Sequence, residues 1–369
     1  MGERVPYLSE EIVSYSFSDD GRFLSLEIAS ADRIDAIRAI AKSFVEENLR
    51  GHRPVPAEAI FQHRTNPPNR APVWEELIRA GLLFSEGSGQ VALLGDACRI
   101  AERLSALFAE IARSPFEAEP HQYSTLLSVD ALNRCHYFSS FPHHVTFAPH
   151  VREDLGAIQE LSAQSQRPTD RGFFDLLSPP EVVLSPAVCF HTYALLADRT
   201  LSRPVTVTAK GRCFRYESKN LSGLERSWDF TMQEVVFIGE ADWVEERRQQ
   251  AIREVGALVE RLDLDAWVET ANDPFFASNF VAKRYHQLMS RAKFELRLSL
   301  PYNGSSLAAA SFNIHDDFFG RSFGIRLGDG FVRTGCLAFG VERWVWALFC
   351  QFGPRPERWP ERVRRVLVP

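Results

Sequence analysis

The chain has 369 residues, 45% of them hydrophobic and 24% charged. That composition excludes a long disordered polypeptide and leaves room for one large domain with a smaller one beside it. A formal net charge of −6 argues against a protein built chiefly to wrap nucleic acid, because phosphate contacts need an excess of Lys and Arg, although a local basic patch stays open.

The chain starts MGERVPYLSEE. It has no apolar secretory core, and Pro6 stands where a myristoylation motif requires Ser or Thr. No apolar run is long enough to span a membrane, so the expected location is the cytoplasm. Ile12 to Phe17 and Phe23 to Ile28 read as strands joined by the turn Ser18-Asp19-Asp20-Gly21. Ala31 to Leu49 places Ile34, Ile37, Ile40, Phe44 and Val45 at helical spacing. Gly51 to Pro72, with Asn66-Pro67-Pro68-Asn69, reads as a linker or long loop. A short helix over Val73–Ala80 and a strand over Gln90–Leu94 follow. Asp96 is placed to N-cap a helix reaching Arg113, with Ile100, Leu104, Leu107, Phe108 and Ile111 inward.

From about Pro180 the texture changes to β-branched and aromatic runs: Glu181–Leu184, Val205–Thr208 and Gln233–Gly239. A helix over Ala241–Leu262 follows, striped by Ala251, Ile252, Val255, Leu258 and Val259. Phe294–Leu300, Ala308–Ile314 and Phe323–Leu327 read as strands, and Gly335–Phe339 runs into a helix from Glu342 to Phe349. Strands, one long helix, more strands and a closing helix predict an α+β fold on a mainly antiparallel sheet. The expected division is a small α+β unit with its linker over 1–70 and one large domain over 71–369. Neither GxxxxGK[ST] nor GxGxxG at a strand–helix junction occurs, so a bound nucleotide would have to be held by side chains.

Two stretches carry the chemistry. One is Cys213-Phe214-Arg215-Tyr216-Glu217, a loop, then Gly223-Leu224-Glu225-Arg226-Ser227-Trp228-Asp229-Phe230-Thr231-Met232-Gln233-Glu234. The other is Gly335-Cys336-Leu337-Ala338-Phe339-Gly340-Val341-Glu342-Arg343-Trp344. Taken singly, Arg215 and Glu217 read equally well as a surface ion pair, Phe230 as core and Arg343 as a helix-solubilising residue. Together and in this order they resemble motifs 2 and 3 of class II aminoacyl-tRNA synthetases. The likeness is nearest to the zinc-dependent archaeal type of seryl-tRNA synthetase and to its truncated relatives, the amino acid:carrier protein ligases. It runs from about Val73 to the C-terminus and is strongest from Pro186 to Phe349.

The resemblance implies a class II synthetase sheet flanked by helices, and activation of a small amino acid by ATP. Arg215 would contact the α-phosphate and the substrate carboxylate, Glu217 the adenine amino group, Arg226 the outer phosphates and Arg343 the γ-phosphate side. Phe230 would stack on adenine. Fixed guanidinium groups suit this chemistry because charge gathers on phosphate oxygens in the transition state. Mg²⁺ would bridge those oxygens. Zn²⁺ is implied at Cys189, Glu234 and Cys336, leaving one tetrahedral position open for the substrate amine. Cys135, Cys213 and Cys350 match no ligand position and read as structural. His191 reads as a residue supporting a ligand or as plain surface.

Ser311, Asn313 and His315 alternate along one expected strand, so they share a face and are candidates for the amino-acid pocket. Ala271–Phe276, with Asp273, and the segment around Glu295 also resemble the family, with a structural reading equally open for Asp273 and Glu295. A homodimer is implied, its interface guessed around Gly156–Pro180. The leading expectation is transfer of the acyl group to a phosphopantetheine thiol of a carrier protein. One alternative is a seryl-tRNA synthetase-like enzyme, or a paralogue acylating tRNA or a small amine. Another is a catalytically silent binding or regulatory paralogue, disfavoured because Arg215, Arg226, Arg343, Cys189, Glu234 and Cys336 are all present.

Overall fold

A computed structural model describes residues 2–18, 22–49, 56–163, 171–271 and 291–368. Eight strands build its central sheet: β1 (Ala59–His63), β2 (Glu119–His121), β3 (Val205–Phe214), β4 (Asp229–Gly239), β5 (Ala266–Thr270), β6 (Lys293–Leu300), β7 (Ser305–Asp316) and β8 (Arg333–Gly340). They lie side by side as β1-β5-β6-β7-β8-β4-β3-β2. Every pairing is antiparallel except β3 with β2.

The period-two alternation of the strands sorts side chains onto two faces. On one, Val235 and Phe237 of β4, Leu337 and Phe339 of β8, Phe312 of β7 and Phe294 of β6 enter a single apolar core. Covering that face are α1 (Gly95–Arg113), α3 (Ala241–Arg261) and α5 (Val341–Phe352). Phe108 of α1 stacks on Phe339 with ring centroids 4.0 Å apart, and Trp344 of α5 meets Phe108 edge-on. Removing such a ring costs roughly 3–5 kcal/mol. The opposite face of the same strands carries Glu234, Cys336, Ser311, Asn313 and Glu295. Register sets them in rows: Glu234 pairs across Ala338, which pairs across Ser311, which pairs across Glu295. Over this second face sit α2 (Cys189–Leu195), α4 (Phe318–Phe323) and a three-stranded sheet of Leu126–Ser128, Val182–Leu184 and Thr146–Phe147.

Several expectations need correction. The stretch read as a linker contains β1, which pairs with β5. Phe61 packs there against Gly256 of α3, where an added Cβ would come within 3.0 Å of the ring. Phe323–Leu327 is not one strand: α4 ends at Phe323, Gly324 turns the chain at φ +68°, and only Arg326–Leu327 is extended. Asp96 does not cap α1. Leu94 holds the cap position without a side-chain bond, and Asp96 lies in the first turn, paired with Arg99. In the helix Ile34–Leu49 only Ile37 of the apolar stripe is buried, while Ile34 and Ile40 stay exposed. The helices read over Val73–Ala80, Ala241–Leu262 and Glu342–Phe349 and the strands read at Glu181–Leu184, Gln233–Gly239, Phe294–Leu300 and Ala308–Ile314 lie within a few residues of where they were expected, and the strand read as Val205–Thr208 runs on to Phe214, whereas Glu119–His121, Cys189–Leu195, Ala266–Thr270 and Phe318–Phe323 were not foreseen.

Candidate active site

Two adjoining clusters occupy the polar face. The first gathers around Glu234. Its Oε1 accepts a hydrogen bond from the Val188 amide at 2.9 Å and its Oε2 one from the Cys189 amide at 3.0 Å, so the carboxylate holds the start of α2 against β4. The Cys189 thiol lies within hydrogen-bonding reach of Cys336 on β8 and of Glu234. Asn313 Nδ2 donates to Cys336 Sγ at 3.3 Å and to Ser311 Oγ at 3.1 Å. His315 Nδ1 meets Thr334 Oγ1 at 3.3 Å, and its ring adjoins Cys336.

The electrostatics follow from burial. The hydrogen bond to Cys336, then burial, raise the Cys189 thiol, while that same bond, with His315 and Asn313, lowers Cys336. Burial first, then the charge on Cys336, push Glu234 up to about 7.

Two thiols and a carboxylate, all buried, are a donor set suited to a zinc-like ion. In the described residues, however, no three His, Cys, Asp or Glu side chains converge as a metal-holding group. Instead both Glu234 oxygens accept from backbone amides, and the two free thiols lie within hydrogen-bonding reach of each other. Each carboxylate oxygen retains a lone pair beside its amide bond.

The second cluster is cationic. Arg215 follows β3 directly; its Nε donates to the Pro186 carbonyl at 2.9 Å and its guanidinium lies 5.4 Å from the centre of the Phe230 ring. Arg226 pairs with Glu217. At the start of α5, Arg343 donates from Nε to the Glu225 carbonyl and from Nη1 to the Ala308 carbonyl, each at 2.9 Å. Burial is the main cause that lowers the Arg343 guanidinium; Glu217 and Glu295 oppose it, and Arg226 and Arg215 add to it. The three arginines, Arg226 paired with Glu217 and Arg215 and Arg343 in its field, thus lie in one electrostatic neighbourhood. Arg215 also bears on Glu234 and so joins the two clusters.

Relatives of known kind put a family to this arrangement. Residues 178–352 match the model for the tRNA synthetase class II core domain (G, H, P, S and T). Amino acid–[acyl-carrier-protein] ligase 1 of Bradyrhizobium diazoefficiens is 33% identical over 273 residues, covering 73% of this chain and 81% of the relative. The chain belongs to the class II aminoacyl-tRNA synthetase family. It is an enzyme of the ligase class. The type-2 serine–tRNA ligase of Methanococcus maripaludis is 29% identical over 257 residues, 66% of this chain but only 49% of that protein. The chain thus spans about half the length of that relative. The fold agrees with the M. kandleri SerRS solved with A. aeolicus tRNASec, at TM-score 0.77 and 23% identity, over 96% of this chain and 73% of that one.

Some residues that brace these clusters escape sequence reading. Glu225 is the clearest. Its Oε1 accepts from Tyr302 at 2.7 Å and from Trp346 Nε1 at 3.1 Å, while its carbonyl holds Arg343. Glu342 is another: it accepts from the Thr231 amide at 2.8 Å and pairs with Arg212, which also grips Asp229. These partners are 77 to 130 residues apart, so no local spacing signals them. Asp273 lies outside the described residues.

Proposed function

We propose that the enzyme activates a small α-amino acid with ATP and passes the acyl group to a phosphopantetheine thiol of a carrier protein. The substrate carboxylate attacks the α-phosphorus, pyrophosphate leaves, and an aminoacyl-adenylate forms. The thiol then attacks the carbonyl carbon and AMP leaves. The observation that carries this reading is the convergence of Arg215, Arg226 and Arg343 beside Glu217 and Phe230. Three fixed guanidinium groups around a polyphosphate stabilise developing charge without reorganisation. In this reading Arg215 meets the α-phosphate and the carboxylate, Arg226 and Arg343 the outer phosphates with Mg²⁺, and Glu217 and Phe230 the adenine.

Cys189, Glu234 and Cys336 are proposed to hold Zn²⁺. When bound, it supplies a Lewis-acid anchor for a free amine. Ser311, Asn313 and His315 line that end of the pocket. Asn313 orients Cys336, and His315 lies beside it.

Charge distribution supports a carrier protein over tRNA. Residues 1–50 hold six Lys and Arg against ten Asp and Glu, a formal −4 of the chain's −6, which opposes phosphate binding by the N-terminal unit. Greater coverage of the carrier-protein ligase than of the serine–tRNA ligase points the same way. A tRNA or small-amine acceptor remains the second reading, favoured by the Gly-Leu-Glu-Arg loop, which is similar to the archaeal synthetases. A homodimer is proposed through the face bearing exposed Leu155, Ile158 and Phe174. Six free cysteines support a reducing, cytoplasmic setting. Among the described residues no helix is long and apolar enough to cross a membrane.

The test is ATP–pyrophosphate exchange across a panel of amino acids, followed by acyl transfer to holo carrier protein and to tRNA. Exchange with a small amino acid and thioester formation are expected. No exchange with any amino acid would defeat the activation step, and transfer to tRNA alone would replace the acceptor.

A further inference from the structure

The N-terminal segment lands on the loop that carries Glu217. Tyr7 Oη donates to the Tyr216 carbonyl at 3.1 Å, Tyr15 Oη donates to Asn220 Oδ1 at 3.1 Å, and Lys219 Nζ donates back to the Glu10 carbonyl at 3.4 Å. The Tyr7 ring also meets His143 edge-on, with centroids 5.0 Å apart. His143 in turn lies in the field of Glu217, and the neighbouring His144 carbonyl accepts the Tyr216 amide. The segment is itself anchored, with Val5 and Ile12 fully buried. Between the two tyrosine contacts the loop makes a short 3-10 turn over Ser218–Asn220, and Ser218 sits at φ +53°. A serine in the left-handed region is held there only by its surroundings.

We propose that Tyr7 and Tyr15 are positioning residues for the nucleotide: they pin the 216–220 loop from both ends, so that Glu217 is presented beside Arg226 and Arg343 before ATP arrives. This rests on the function proposed above, since it assigns the loop to ATP. Preorganisation of this kind lowers the cost of binding without altering the chemical step. The pinning acts on ATP and leaves the amino-acid end, on β7 and β8, untouched.

The test is the double variant Tyr7→Phe with Tyr15→Phe, which keeps both rings and removes both hydroxyl groups. In pyrophosphate exchange the KM for ATP is expected to rise about tenfold, two hydrogen bonds' worth, with kcat within about threefold of wild type and the amino-acid KM unchanged. A second readout needs no activity: trypsin cleavage after Lys219, followed by mass spectrometry of the full chain, is expected to accelerate in the variant and to be slowed again by saturating ATP. An unchanged ATP KM, or equal rises in both KM values with a lowered Tm, overturns the proposal. So does unchanged cleavage at Lys219. If the wild-type protein exchanges no pyrophosphate yet the variant is cut faster, the pinning stands as structure and the assignment of the loop to ATP falls.

Discussion

Arg343 Nε and the Glu225 carbonyl are joined by a 2.9 Å hydrogen bond, and the Glu225 carboxylate reaches on to Tyr302 and Trp346. The loop between β3 and β4 and the first turn of α5 are therefore one unit, although more than a hundred residues separate them in the chain. Gly223, at φ +45° and with an added Cβ only 2.9 Å from the Trp74 ring, seats the loop on its other side.

Arg343→Ala should abolish pyrophosphate exchange. It should also destabilise the protein by about 2 kcal/mol, since two backbone carbonyls lose a buried charged donor. Arg343→Lys keeps the charge but not the fork that reaches both carbonyls. It should lose at least about 100-fold in exchange while recovering part of the stability. Urea melts and exchange rates measured on both variants check this; exchange surviving in Arg343→Ala removes the arginine from the reaction.

Glu225→Gln leaves the backbone contact to Arg343 in place but weakens the acceptor for Tyr302 and Trp346. We expect a loss of about 1 kcal/mol in stability and a raised KM for ATP. Tyr302→Phe should reproduce the stability loss more mildly. A variant as stable and as active as wild type would make the Glu225 side chain incidental.

With zinc held as proposed, Cys336→Ser should lose metal and activity together, and a chelator should do the same to the native protein. Elemental analysis alongside exchange assays measures both. Full activity in metal-free protein would sink the zinc reading. Glu234→Gln should be the more destabilising change, because its amide nitrogen would face one of the two backbone donors of α2 that the carboxylate now accepts.

His143 offers a test by pH. Burial pushes it down to about 4 from its ordinary 6.5, against the opposing pull of Glu217. A depressed value means the unfolded chain binds the proton first, so this residue favours folding fully above pH 6.5. That contribution is lost as pH falls toward 4, amounting to ~1–2 kcal/mol after allowance for its partial exposure. Denaturation midpoints at pH 7, 5.5 and 4.5 should fall more steeply in the native protein than in His143→Asn. Parallel curves would refute the assignment.

The sheet and its helices were legible because their signals are local. Val235 and Phe237 alternate with Glu234, and the stripe Ala251, Ile252, Val255, Leu258 and Val259 repeats at helical spacing. The grouping of the arginines is legible only through the order of two motifs, since Arg215, Arg226 or Arg343 alone has an ordinary surface explanation. What stayed hidden depends on long-range packing. Nothing near Glu225 announces Tyr302 or Trp346, and nothing near Tyr7 announces Tyr216. β1 was obscured because its apolar residues are flanked by Pro and Arg, and its partner β5 lies some two hundred residues away. The stripe over Ile34–Leu49 failed in the other direction: helical spacing was present, but little covers Ile34 and Ile40.

Because the polar face bearing Asn313 and Cys336 and the apolar core are opposite sides of the same strands, the register of β7 and β8 is tightly specified. Inserting or deleting a single residue between Ala310 and Ile314 of β7 or in β8, unless taken up by an irregularity like those β7 carries at Ala309 and His315, would turn Phe312 or Phe339 toward the polar face and send Asn313 or Cys336 into the packed interior. Changes of length are thus tolerated in the turns between strands or at such irregularities, and not within the regular pairing of β7 and β8.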